Sequence, residues 1–219
     1  MLNLAVKAAR RAGDVIFRNL NRVQNLEVRP KGKNDFVSEV DHLAEQEIIS
    51  TIRQSYPNHG FLAEESGRSG DDEFLWIVDP LDGTTNFLHG LPHWSVSIAL
   101  EHKGEVVAGV VFDPAKDEMF VAEKGQGAWM NESRIRVSGR KVMAEALFAT
   151  GVPFGAKKTL PATMRDLARL MPACAGVRRW GAAALDLAYV AAGRFDGYWE
   201  RELQPWDVAA GILLVKEAG

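Results

Sequence analysis

Asp79 and Asp82 stand three positions apart, directly behind a run of five apolar residues, Phe74 to Val78. A short run that is apolar at every position predicts a strand buried on both faces. Both carboxylates then fall at a sheet end, where open α/β sheets hold their ligands. Acids gathered there suit a hard cation, because Mg²⁺ takes oxygen ligands in octahedral array. A pair of such ions neutralises the charge that builds on the entering and leaving oxygens when water attacks a phosphate monoester. Gly83 lets the backbone turn at this point. Its amide and that of Thr84 can donate to a phosphate at the N-terminus of a following helix. Glu64-Glu65 and Asp207 are the remaining acids of this kind.

Each of these residues also has a plainer reading. Asp79-Pro80 and Asp82-Gly83 are common turn dipeptides. Glu64-Glu65, before Ser66-Gly67, suits a solvated loop, and Asp207 near a helix start complements the helix macrodipole. Asp41 lies three positions after Ser38, as the acid of a capping box does, and Lys31 reads as a surface charge. The histidines at 42, 59, 89, 93 and 102 show no zinc-type spacing and read as surface or core residues.

Other phosphatase chemistries fit less well. A haloacid-dehalogenase motif separates its aspartates by one residue, whereas Asp79 and Asp82 are separated by two. Cys174, the only cysteine, has Trp180 where a cysteine phosphatase needs Arg, and is read as a buried structural thiol. No Lys follows a glycine-rich turn as in a P-loop, and Gly125-Gln126-Gly127 is read as a turn.

The elements that position these residues follow from periodicity. Leu4, Ala5, Ala8, Ala12, Val15, Ile16 and Leu20 recur at helical spacing and predict an amphipathic first helix. A loop through Pro30, Gly32 and Asn34 follows, then a second helix buried through Ala44, Ile48, Ile49 and Ile52. Trp94 to Leu100, Val106 to Phe112 and Met119 to Ala122 predict an antiparallel meander. After a turn at Ser138-Gly139 come a strand over Ala146 to Thr150 and a helix over Ala162 to Leu170. A small-residue helix over Gly181 to Ala192 stops at Gly193, and a strand over Phe195 to Glu200 follows it. The last helix opens at Pro205, with Asp207 just inside. Strands and helices alternate in an α+β manner. The last helix runs out at Glu217-Ala218-Gly219 with nothing to cover it, so a C-terminal part is expected to be missing.

The chain has 219 residues, 47% hydrophobic and 25% charged, enough for one domain or two packed halves, roughly 1–138 and 139–219. A formal charge of -3 and a pI near 6.0 give no positive field for nucleic acid or an anionic membrane. A lone cysteine fits a reducing compartment. Neither a signal peptide nor a membrane-spanning stretch is evident, so a cytoplasmic location is expected.

The stretch Asp79-Pro80-Leu81-Asp82-Gly83-Thr84-Thr85-Asn86-Phe87 resembles the principal signature of the inositol monophosphatase family. Trp206-Asp207-Val208-Ala209-Ala210-Gly211 resembles its second, and Glu64-Glu65-Ser66 its glutamate loop. The similarity runs in order along nearly the whole chain. It implies an alternating α-β-α-β-α layered sandwich, usually dimeric, whose missing tail would supply a last strand and helix. It implies that Glu64, Asp79 and the Leu81 carbonyl hold one Mg²⁺, and that Asp79, Asp82 and Asp207 hold a second. It further implies that Thr84, paired with Asp41 and assisted by Glu64, activates the attacking water. Gly83 and Thr84 would bind phosphate, Glu200 would contact sugar hydroxyls, and Ala183, Asp207 and Asp196 would line the same pocket. Lithium inhibition at the second metal position is implied as well. The expected substrate is a small phosphorylated polyol, foremost myo-inositol monophosphate. Fructose 1,6-bisphosphate, histidinol phosphate, a nucleotide phosphate, and a non-catalytic dimeric regulatory protein on the same fold are the alternatives. The sequence departs from the family's animal members at Arg178-Arg179-Trp180-Gly181, where they more often carry a small hydroxyl residue in place of Arg179.

Overall fold

A computed structural model describes residues 1–20, 28–32, 35–70, 72–152 and 158–219, with 28–32 and 35–38 described by backbone alone. Helix α1 (Leu2–Asn19) buries Ala5, Ala8, Ala12 and Ile16 of the expected stripe, and Ala9 beside them, while Leu4, Val15 and Leu20 are half-buried. Where the sequence reading has a loop, the backbone forms an antiparallel hairpin of β1 (Val28–Gly32) and β2 (Asp35–Ser38). Asn34 lies outside the described residues. Helix α2 (Glu39–Arg53) follows and packs along α1.

Two short strands, β3 (Gly60–Ala63) and β4 (Gly67–Ser69), precede β5 (Phe74–Asp82), and the sequence reading lacks both. Beyond a single-turn helix, α3 (Thr84–Leu88), the expected meander is present as β6 (Ser95–His102), β7 (Glu105–Asp113) and β8 (Glu118–Glu123). It continues through β9 (Gly127–Met130) and β10 (Ser133–Arg134), with the turn at Gly125-Gln126 between β8 and β9. The eight strands form one sheet in the order β10-β9-β8-β7-β6-β5-β3-β4. All pairings are antiparallel except β3 with β5. Because that pair is parallel, Glu64 after β3 and Asp79 near the end of β5 emerge at the same sheet end.

The rest of the chain builds a second, parallel sheet. Strand β11 (Leu147–Thr150) lies between β12 (Gly176–Arg178) and β13 (Gly197–Trp199). Helix α4 (Leu160–Leu170) connects β11 to β12, and α5 (Ala183–Ala191) connects β12 to β13. The two connections run in opposite directions across the sheet, so right-handed crossovers put α4 and α5 on opposite faces. Helix α6 (Pro205–Ala218) packs against α5 and against β5 to β9. The layers are therefore α1/α2, the large sheet, α5/α6, the small sheet and α4, as the family resemblance implied.

Two apolar clusters hold these layers. One joins Ile16, Ile48, Ile52, Phe61, Trp76 and Ile98 between the first helices and the large sheet. The other joins Ile77, Val111 and Phe120 to Leu185, Tyr189, Leu213 and Leu214. Full burial contributes about 1.5–3 kcal/mol for each large aliphatic or Phe side chain, so the sheet end is held from both faces.

Candidate metal and phosphate site

The local chemistry at Asp79 starts with Pro80. Proline has no N–H to give a ladder, and the register of β5 on β6 breaks between Asp79, opposite Ser97, and Asp82, opposite Ser95. Side chains three apart on a regular strand point to opposite faces. The irregularity brings both aspartates to one cleft. Gly83 then takes a left-handed conformation at φ 91°. A Cβ there would stand 3.1 Å from the His93 carbonyl and 3.3 Å from the Trp94 Cα, so glycine is required on both counts.

The cleft has a volume of about 390 Å³, and Glu64, Asp79, Leu81, Asp82, Gly83, Thr84, Ala183, Glu200 and Asp207 all line it. Thr85, Asn86, Arg179, Gly181 and the Arg201–Gln204 turn complete its wall. Asp41, fully buried on α2, lies behind it: Thr84 Oγ1 is 3.0 Å from Asp41 Oδ1 and 3.0 Å from the Leu81 carbonyl. Every site residue that the sequence implied is thus brought together except Asp196. That carboxylate accepts the Leu147 amide and pairs with Arg140, which ties it to the start of β11 and away from the cleft wall.

Several of the acids carry their plainer role as well. Asp82 Oδ1 accepts the Ala183 amide at 3.0 Å and Oδ2 the Ala184 amide at 2.8 Å, so it caps α5, whose own Ala182 supplies no side-chain cap. Asp207 accepts the Gln204 amide at 2.6 Å in a capping box at the start of α6 and still faces the cleft. The Glu64-Glu65 turn is not a solvated loop, since the Glu65 side chain is only 4% exposed. Glu200 is half-buried and accepts the Tyr198 hydroxyl, while its neighbour Arg201 pairs with Asp166. Cys174 is half-buried rather than buried and lies outside the cleft.

Two acids escaped the sequence reading. Glu45, buried on α2, accepts the successive amides of Glu65 and Ser66 at 2.8 and 2.9 Å and so holds the turn that carries Glu64. Asp186 is 1% exposed in α5. Its Oδ1 lies 3.5 Å from His93 Nε2, and neither atom has a hydrogen-bond partner among the described residues. The signal for both was an acid inside an apolar helical stripe, which costs free energy unless it has a task. Burial, with the charge of Glu200, pushes the Asp186 carboxyl up to about 8, and burial lowers His93 to about 4. The pair is therefore a neutral acid beside a neutral imidazole at pH 7.

The electrostatics of the cleft favour a cation. Burial first, then the charges of Glu64, Asp82 and Asp207, raise Asp79 well above the carboxylate range. Burial and Asp207 raise Asp82, against the α5 amides that lower it. Among the described residues, no three His, Cys, Asp or Glu groups form a ready-made metal cage. The donors are instead spread around the wall and are all oxygen, a set suited to a hard ion that keeps part of its water shell.

The whole chain, residues 1–219, matches a family described as the inositol monophosphatase family. It is 49% identical over 221 residues to the inositol-1-monophosphatase of Rhizobium meliloti, covering 100% of this chain and 83% of that protein. It is 51% identical over 221 residues, at the same coverage, to the Nus factor SuhB of Escherichia coli K12. Among solved structures, the extragenic suppressor protein SuhB of Bartonella henselae superposes with a TM-score of 0.96 at 50% identity, over 99% of this chain and 84% of that one. Inositol monophosphatase from Anabaena gives a TM-score of 0.89 at 41% identity, over 100% of this chain and 81% of that one.

Proposed function

The chain belongs to the inositol monophosphatase family, and on that premise we propose that it is a Mg²⁺-dependent phosphatase that hydrolyses a small phosphorylated polyol, foremost myo-inositol monophosphate. The observation that carries the reading is the bond between Thr84 and the buried Asp41 at the edge of a cleft lined by six further carboxylates, Glu64, Asp79, Asp82 and Asp207 among them. In this reading Glu64, Asp79, Asp82, Asp207 and the Leu81 carbonyl hold the metal. Bound Mg²⁺ supplies positive charge that offsets the phosphoryl oxygens and makes water more acidic.

The chain's own residues do the rest. The Thr84 hydroxyl can donate to Asp41 or to the Leu81 carbonyl, and when it donates to Asp41, Oγ1 can take the attacking water's proton as its own passes to the carboxylate. Asp41, fully buried, fixes the hydroxyl's direction, and Glu64 assists from the same wall. The amides of Gly83 and Thr84 donate to the phosphate. Water attacks phosphorus, the bond to the alcohol oxygen breaks, and that oxygen takes a proton from solvent water as the alcohol leaves toward Ala183 and Glu200. In this reading no side chain forms a bond to phosphorus: Thr84 serves the attacking water, the acids hold the metal, and Cys174 lies outside the cleft.

A second reading, a Nus-factor role, comes from the name of relatives 50 and 51% identical to this chain. The intact acids at 64, 79, 82 and 207 favour turnover. A panel of inositol, fructose, histidinol and nucleotide phosphates compared by kcat/KM tests the substrate. A preference of at least about tenfold for inositol phosphate supports the reading. Preference for another member overturns the substrate assignment, and no turnover of any overturns the enzyme.

A further inference from the structure

Glu200, at the cleft's alcohol end, follows directly on β13, which lies beside the parallel strand β11. The register of β11 on β13 pairs Phe148 with Gly197, Ala149 with Tyr198 and Thr150 with Trp199. One step further brings Gly151 opposite Glu200, just past the last rungs. Tyr198, two residues before Glu200 on the same face, reaches its carboxylate with the phenol hydroxyl. The carboxylate itself lies over the bare Cα of Gly151. A Cβ built there would stand 1.8 Å from Oε2, 1.9 Å from Cδ and 2.0 Å from Oε1.

That overlap differs in kind from the one at Gly83. The atoms met are the far end of a flexible side chain rather than backbone, so a methyl at 151 displaces the carboxylate and leaves the strands in place. Nor does the backbone itself demand glycine, since Gly151 is absent from the residues of positive φ. The buried position is small because Glu200 occupies the space.

We propose that Gly151 is the specificity-determining position of this cleft: its missing side chain is the seat of the Glu200 carboxylate, and with it the acceptor for a substrate's hydroxyl groups. This inference rests on the reading of Glu200 given above. A carboxylate held by Tyr198 over a glycine keeps one geometry, and a positioned acceptor discriminates between alcohols that can pair with it and those that cannot. Any larger residue at 151 moves that acceptor without touching Asp79, Asp82 or Thr84.

The test is a cycle of Gly151→Ala, Glu200→Ala and the double variant, each assayed by kcat/KM on inositol 1-phosphate and on 4-nitrophenyl phosphate, which lacks the polyol. The expected result is that Gly151→Ala and Glu200→Ala each lose about tenfold or more on inositol phosphate beyond their loss on the aryl ester. The double variant should be no worse than Glu200→Ala alone. Equal losses on both substrates for Gly151→Ala, or additive losses in the double variant, overturn the inference while leaving a selective Glu200 intact. If Glu200→Ala itself shows no selectivity, the reading of Glu200 falls and this inference with it. Should Gly151→Ala prove too unstable to assay, recovery of thermal stability in the double variant supports the overlap, and its absence refutes it.

Discussion

Truncating Glu45 to alanine tests whether the turn that carries Glu64 is held from behind. The carboxylate accepts the Glu65 amide at 2.8 Å and the Ser66 amide at 2.9 Å, and the residue is 3% exposed. A hydrogen bond to a charged group contributes about 1.5–3 kcal/mol. Two such bonds would cost roughly 3–6 kcal/mol if the amides found nothing else. A cavity lined by His42, Glu45, Glu65 and Ser66 adjoins them, so water can take part of their place. The net loss is then about 2–3 kcal/mol, or roughly 4–12 °C in Tm for a chain of this size. Loosening a group that supports a metal ligand costs on the order of tenfold to a hundredfold in metal affinity. Thermal unfolding, with turnover measured against Mg²⁺ concentration, reads both effects, and Glu45→Gln, which keeps one acceptor oxygen, should fall between. A Mg²⁺ half-saturation within about twofold of wild type in a destabilised Glu45→Ala protein would refute the coupling to Glu64.

Asp82→Asn should leave less than about a tenth of kcat, since it removes charge from the metal set. It should also weaken the cap on α5, so circular dichroism must accompany the assay. A folded variant with most of its turnover contradicts Asp82 as a ligand. Thr84→Ala should lower kcat far more than it changes KM, and rapid-quench trials should trap no phosphate on any side chain. A trapped phosphoenzyme would contradict direct attack by water. Asp186 and His93 set a pH signature. The folded pKa of Asp186, about 8, lies above its ordinary 3.8, so the stability it contributes is fully present below about 3.8 and is lost as pH rises through 8. His93, lowered from 6.5 to about 4, acts oppositely, its contribution being present above 6.5 and lost as pH falls toward 4. Between 6.5 and 8 His93 no longer opposes Asp186, which contributes up to about 1.4 kcal/mol per pH unit alongside the raised acids Asp79, Asp82 and Glu200 and beside Arg179. Thermal unfolding at pH 6.5 and 8 should show this slope in the wild type and a flatter one in Asp186→Asn. Parallel slopes would refute it.

Much of this site was legible because its chemistry is local in sequence. The apolar run before Asp79, the Asp82-Gly83 turn and the Pro205 helix start each announce themselves within a few residues. The α+β alternation followed from periodicity, and the layered arrangement from the family resemblance alone. Short elements were not legible: β3, β4 and β12 have three or four residues each, too few for alternation to register. The contacts of Glu45 with the Glu65 amide and of Asp82 with α5 span 20 residues and more than 100. Helical periodicity assigned Ala44 and Ile48 to the core and passed over the acid between them. Asp196 shows the converse, since a residue placed by resemblance is spent on a strand end. The seat at Gly151 depends on a pairing between β11 and β13 that only the folded chain reveals.

The central claim is that the acids around Asp79 exist to hold Mg²⁺ for hydrolysis of a phosphate monoester. It is tested most directly by phosphate release from inositol 1-phosphate with the purified protein, first stripped by chelator and then titrated with Mg²⁺. Turnover that vanishes on stripping and returns saturably with Mg²⁺ in the wild type, but not in Asp82→Asn, is the predicted result. Turnover that survives chelation, or no phosphate release at any Mg²⁺ concentration, would contradict the account.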